Sequence, residues 1–104
     1  MRKTRILLAM LAGLAASAAH ADVRVVVDRF TIDGDFMRVL FTVTNRERVV
    51  LDVTLHCVAK EGRQPVAVGD SRGVGLLPRE ERTEDLLIQL SGARADRVEC
   101  QATH

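Results

Sequence analysis

The chain has 104 residues, 15 Lys+Arg against 14 Asp+Glu, and is 47% hydrophobic and 3% aromatic, with two Cys and neither Trp nor Tyr. That is at most one small domain. The near-balance of charge gives no reason to expect a nucleic-acid partner, and a 28% charged fraction beside many Val and Leu argues against disorder.

Residues 1 to 21 read as a cleaved secretory signal. Arg2, Lys3 and Arg5 precede an apolar run from Ile6, and Ala19 and Ala21 flank His20 as small residues suited to a peptidase, so cleavage is expected between Ala21 and Asp22. The run is shorter than a membrane-spanning helix requires, so no membrane insertion is expected after cleavage. No Cys stands at position 22 for lipid attachment, and the cations contain no Arg-Arg pair, which favours the general secretory route over twin-arginine export. The expected compartment is the periplasm. Residues 22 to 104 would then form one domain of 83 residues with 12 Lys+Arg against 14 Asp+Glu.

Val supplies 14 of those 83 residues, and β-branched runs recur between Gly, Pro, Asp and Asn. Val23, Val25 and Val27 alternate with polar neighbours in a first strand. The phase slips before Phe30 and Ile32, which predicts a bulge near Asp28-Arg29. After Asp33-Gly34-Asp35, Met37, Val39, Phe41 and Val43 share one face of a second strand, and Asn45 to Arg48 reads as a polar turn.

Val49, Leu51, Val53, Leu55, Cys57 and Ala59 define the inward face of a third strand, opposite Asp52, Thr54, His56 and Lys60. Pro65 to Val68 is a short strand that proline suits to a start or an edge. Asp70 to Gly75 reads as a crossing, Leu76-Leu77-Pro78 as an apolar anchor, and Arg79 to Arg82 as a charged turn. Leu86, Ile88 and Leu90 then point inward, and Val98, Cys100 and Ala102 do so on the last strand. Six or seven short strands without a helical stripe predict an all-β fold, a small antiparallel immunoglobulin-like β-sandwich with one disulfide, a small barrel being the alternative.

Cys57 and Cys100 both fall on inward faces, and in an oxidising compartment two Cys allow one intramolecular pairing, a structural bridge. The competing readings, a redox pair or a thiolate metal site, lack the Cys-x-x-Cys spacing and further nearby ligands. His56 would need neighbours such as Asp52 or Thr54 to act as a base or ligand, and His104 lies at the C-terminal end. Gly69-Asp70-Ser71-Arg72-Gly73 fits the nucleophile-elbow pattern, but no helix follows to expose the hydroxyl over an α/β sheet. Glu80, Glu81, Glu84 and Asp85 fall in one stretch, not across a cleft as glycosidic acid pairs do. No catalytic, cofactor or metal residues are therefore assigned.

From Val43 to Ile88 the order of strands and turns, with Val53-Thr54-Leu55 in the third strand, a Glu61-Gly62 turn and Leu77-Pro78 before an acidic turn, resembles the FxLYD-type and related immunoglobulin-like extracytoplasmic domains of bacteria. In place of the Phe-x-Leu-Tyr-Asp motif stands Val53-Thr54-Leu55-His56-Cys57, which keeps Leu55 alone. The resemblance implies a β-sandwich and carries over no catalytic residue. The expected function is a non-enzymatic, cofactor-free module that binds another envelope protein through an edge strand, Pro65 to Val68 or the first strand. Two other classes stand beside it: a metal-binding protein using His56, His104 and Met37, and an inhibitor inserting Asp70 to Gly75 into a hydrolase.

Overall fold

A computed structural model describes residues 22 to 104; residues 1 to 21, the stretch expected to be a signal with cleavage between Ala21 and Asp22, lie outside the described residues. Seven strands run in chain order: β1 (Val23–Asp33), β2 (Phe36–Asn45), β3 (Leu51–Glu61), β4 (Gln64–Asp70), β5 (Val74–Leu76), β6 (Glu81–Gln89) and β7 (Arg97–Thr103). They form two antiparallel sheets. One has the order β1-β2-β6; in the other, β3 is central, with β4 and β5 in succession along one edge and β7 on the other. No helix forms among the described residues.

Period-two patterning decides what is buried. Met37, Val39, Phe41 and Val43 of β2 face Val53, Leu55, Cys57 and Ala59 of β3, and all eight are inaccessible to solvent. Val74, Leu76, Leu86, Ile88 and Leu90 complete this core. The edge strands contribute apolar side chains that stay half-buried, among them Val25, Val27 and Phe30 of β1 and Val98, Cys100 and Ala102 of β7.

The register of β1 on β2 shifts between Val27 and Arg29, so the phase slip at Asp28-Arg29 is a β-bulge that keeps Phe30 and Val27 on the same face. Gly34, at φ +63°, takes the first central position of the two-residue β1–β2 turn, a left-handed conformation that costs glycine no side-chain clash. β4 is an edge strand, with Pro65 near its start beside a second register shift.

Two expectations about strand ends are corrected. Val49 is not on the inward face of β3: the strand starts at Leu51, and Val49 is 58% exposed in the preceding connection. Arg79 to Arg82 is not wholly a turn either. The turn closes through Glu80 N donating to Leu77 O at 3.0 Å, β6 starts at Glu81, and Arg82 and Glu84 take inward positions continuous with Leu86 and Ile88. Pro78 supplies the bend, and Arg79 takes φ +65° while its Nη1 donates to the Arg46 carbonyl.

Candidate functional site

Cys57 and Cys100 form a disulfide between directly opposed residues of β3 and β7, with Cα atoms 4.0 Å apart. Lys60 O accepts from Asp96 N, so even-numbered residues of β3 direct their backbone groups toward β7, and Cys57 occupies a non-hydrogen-bonded pair, where side chains approach most closely. The bridge links neighbours within one sheet and fastens the edge strand β7 to the centre. No free cysteine is present among the described residues.

The residues weighed for chemistry are separated. His56 is exposed on the outer face of β3, and its partner is Asp70, 2.6 Å from Nδ1, not the Asp52 or Thr54 that a base or ligand role would call on. Met37 is buried between the sheets, so it does not share a surface with His56, and His104 is exposed at the end of the chain. Among the described residues no three His, Cys, Asp or Glu side chains cluster as a metal site would require. The Ser71 hydroxyl is engaged in holding the chain: it accepts from Leu55 N at 2.9 Å and donates to Arg72 O at 2.8 Å, while Ser71 N donates to Leu55 O. It thereby continues the ladder where β4 ends and before β5 begins.

Asn45, expected in a polar turn, is instead the last residue of β2 and a buried polar side chain. It continues the inward parity of β2 and is fully buried. Its amide donates toward Val49 O (2.8 Å), Leu77 O (3.1 Å) and Leu76 O (3.2 Å), and its Oδ1 accepts from Glu47 N (2.9 Å). One side chain thus ties the end of β2 to the connection before β3 and to the end of β5.

A concavity of about 570 Å3 lies on one lateral side of the sandwich, between β6 and the break from Asp70 to Gly75. Phe41, Val74, Leu86 and Leu87 contribute apolar surface, and Arg38, Arg72, Arg82, Asp70, Glu84 and Asp85 contribute charge. Arg38 is paired with Asp85 at 2.7 Å and Arg82 with Glu80 at 2.8 Å; Arg72 and Glu84 have no ion-pair partner among the described residues. Glu80 Oε1 also accepts from Leu77 N, and this bond, followed by that from Arg82, holds the Glu80 carboxyl below the usual carboxylate value of 4.5. The same pairing raises the Arg82 guanidinium above its ordinary value.

Backbone parity makes one wall of this groove a free sheet edge. Asn45 N donates to Glu80 O and Leu90 N to Asp35 O, so alternate residues of β6, Arg82, Glu84, Leu86 and Ile88, turn their backbone groups to β2. Thr83, Asp85 and Leu87 therefore direct theirs away from β2, and of these Asp85 and Leu87 line the groove. The edge is shut at one end. A Cβ at Gly69 would stand 2.9 Å from Ile88 Cγ1 and 3.1 Å from Leu87 O, so β4 closes on β6 there, while Thr83 and Asp85 remain open. The Asp70 to Gly75 segment forms the opposite wall of the groove.

A smaller concavity of about 420 Å3 lies at the end of the sandwich, where Ile32, Leu90, Ala93 and Ala95 meet beside the β1–β2 turn. No described helix is long and apolar enough to cross a membrane. Comparison of the chain with protein-family models and with curated proteins gives no match.

Proposed function

We propose that the chain is an exported, periplasmic, non-enzymatic binding module that accepts an extended segment of another envelope protein along the open edge of β6. The observation that carries this reading is the 570 Å3 groove beside the unpaired backbone groups of Asp85, with those of Thr83 next along the same open edge. A strand added there gains main-chain hydrogen bonds, and alternate side chains enter the groove or face solvent. Arg72 and Glu84, unpaired on the groove walls, suit a segment carrying one acidic and one basic side chain. Export rests on the signal pattern of residues 1 to 21, and the oxidised Cys57–Cys100 pair is what an oxidising compartment maintains.

The test uses a photo-crosslinking residue at Thr83, irradiated in intact cells, followed by identification of the joined protein. The companion variant is Thr83→Pro, which removes an N–H that has no partner within the sheet. The expected result is one envelope protein crosslinked at position 83, with the complex lost in Thr83→Pro while the domain stays folded and oxidised. Absence of any crosslinked protein, or a complex indifferent to the proline, refutes the reading.

A further inference from the structure

The opposite lateral edge has its own geometry. Arg46 N donates to Asp22 O, which places Asp22, Arg24 and Val26 in hydrogen-bonded pairs with β2. Val23, Val25 and Val27 therefore turn their N–H and C=O groups to the outside, and no backbone bond among the described residues satisfies them. β7 approaches β1 on this side without exchanging a backbone bond. On the outer face of the same stretch stand Arg24, Val26 and Asp28, and Val26 is 39% exposed. Asp28 uses Oδ2 to accept from Thr42 Oγ1 at 2.7 Å, which leaves its other oxygen available, and Arg24 has no ion-pair partner among the described residues.

We infer that β1 pairs antiparallel with β1 of a second copy of this chain about a twofold axis at Val26, joining the two three-stranded sheets into one of six strands. The stretch Arg24-Val25-Val26-Val27-Asp28 is complementary to itself when reversed. With Val26 on the axis, Val25 of each copy opposes Val27 of the other, and their outward backbone groups exchange four hydrogen bonds. Arg24 of each copy then opposes Asp28 of the other, and the two Val26 side chains meet between these ion pairs.

Parity and charge exclude the neighbouring registers. Moving the axis to Val25 sets Asp22 against Asp28 and leaves Arg24 facing valine. Moving it to Val27 sets Asp28 against Val26 and carries the ladder into the bulge after Val27. The bulge limits the pairing to the stretch before it, so a bounded dimer forms in place of an extended fibre. Because this edge lies across the sandwich from β6, the dimer leaves both grooves open, and it stands or falls independently of the groove reading.

The test uses protein purified from expressing cells, sedimented over a concentration series. The expected result is a dimer that dissociates on dilution and weakens with salt. Arg24→Asp and Asp28→Arg should each weaken it by about tenfold or more, because each sets like charges together at both ends, and the combined Arg24→Asp/Asp28→Arg chain should restore it. Val26→Cys should form an interchain disulfide, found by peptide mapping as position 26 joined to itself, because it would occupy the same kind of non-hydrogen-bonded pair as Cys57 and Cys100. Arg24→Cys, facing Asp28 in the partner copy, should not. A chain that sediments as a monomer throughout overturns the inference. So does a dimer insensitive to the single charge reversals, failure of the combined variant to restore pairing, absence of the position-26 link, or a foreign protein occupying this edge.

Discussion

Replacing Asn45 should remove a large part of the fold's stability, although the residue lies outside the hydrophobic cluster. In Asn45→Ala, the Leu76 carbonyl loses a donor in a buried setting, and the Val49 and Leu77 carbonyls and the Glu47 N–H lose partners in partly buried ones. Leaving a buried polar group unmatched costs about 1–3 kcal/mol, and a typical net hydrogen bond contributes about 0.5–1.5 kcal/mol, so the loss is about 3 kcal/mol. A domain of this size holds roughly 4–12 kcal/mol in total. With an unfolding entropy of about 2.1 cal/mol/K per residue, the midpoint of thermal unfolding should fall by about 17 °C. Thermal and urea unfolding, followed by circular dichroism under non-reducing conditions, measure this directly.

Asn45→Asp separates hydrogen bonding from volume, since it preserves shape and the acceptor for Glu47 N but turns a second oxygen toward three carbonyls. Burial among those oxygens raises the folded-state pKa of the new carboxyl above its unfolded value. Stability is then lost as pH rises through that raised value and partly regained below it, where the protonated group can donate. A cost below about 1 kcal/mol for Asn45→Ala would refute the structural role of this side chain and return Asn45 toward the range of an ordinary surface residue. That role is equally refuted if the Asn45→Asp deficit against wild type is no larger at neutral pH than at pH 4.

Three further outcomes follow from the same geometry. Gly69→Ala forces a methyl group against Ile88 Cγ1 and the Leu87 backbone carbonyl, so it should cost about 1–3 kcal/mol in urea unfolding; a neutral result would show that β4 does not close tightly on β6. Cys57→Ser/Cys100→Ser opens a loop spanning a sequence separation of 43 and should destabilise by about 4 kcal/mol, measurable as a shift of the urea midpoint against the oxidised wild type. Glu80→Gln keeps an acceptor for Leu77 N but removes the charge facing Arg82, and because the folded Glu80 pKa is depressed, its stabilising effect is present above pH 4.5 and fades as pH falls through the depressed value. The melting temperatures of wild type and variant should therefore differ at neutral pH and converge in acid; a constant gap would contradict this assignment.

The sequence was most informative where a strand is central and patterned on two faces. β2 and β3 alternate without interruption, so their eight core residues and the inward direction of Cys57 could be read in advance. The bulge at Asp28-Arg29 was equally visible, because a slip of one residue transfers every later side chain to the other face. Asn45 was obscured by its residue type: asparagine favours turns, yet period two from Met37 through Val43 continues to position 45, and that parity was the available signal. Arg82 and Glu84 were obscured likewise, since charge suggested a loop where parity with Leu86 and Ile88 gave inward positions. The His56–Asp70 contact depends on the register of β4 against β3, which includes a shift beside Pro65, and local pattern does not encode that register.

The four sheet edges explain why binding should be sought on particular ones. β4 carries Pro65 and closes against β6 at Gly69, so little of its outer side is available near that end. β7 is fastened to β3 by the disulfide, and its outer face carries Glu99, which pairs with Lys60 of β3 at 2.9 Å. β6 points Arg82 and Glu84 inward along its open stretch. Inward charge discourages indiscriminate strand addition, because any arriving strand must supply complementary groups before it can bury them. β1 has only apolar inward residues before its bulge, Val23, Val25 and Val27, and is protected by the approach of β7, which exchanges no backbone bond with it, and by the bulge that ends the regular ladder after them. An edge with inward charge selects a partner by chemistry, whereas an apolar edge cut short by a bulge selects by length and register. The first suits a foreign segment of particular sequence, and the second suits the one sequence that matches Arg24 to Asp28 in reverse, its own.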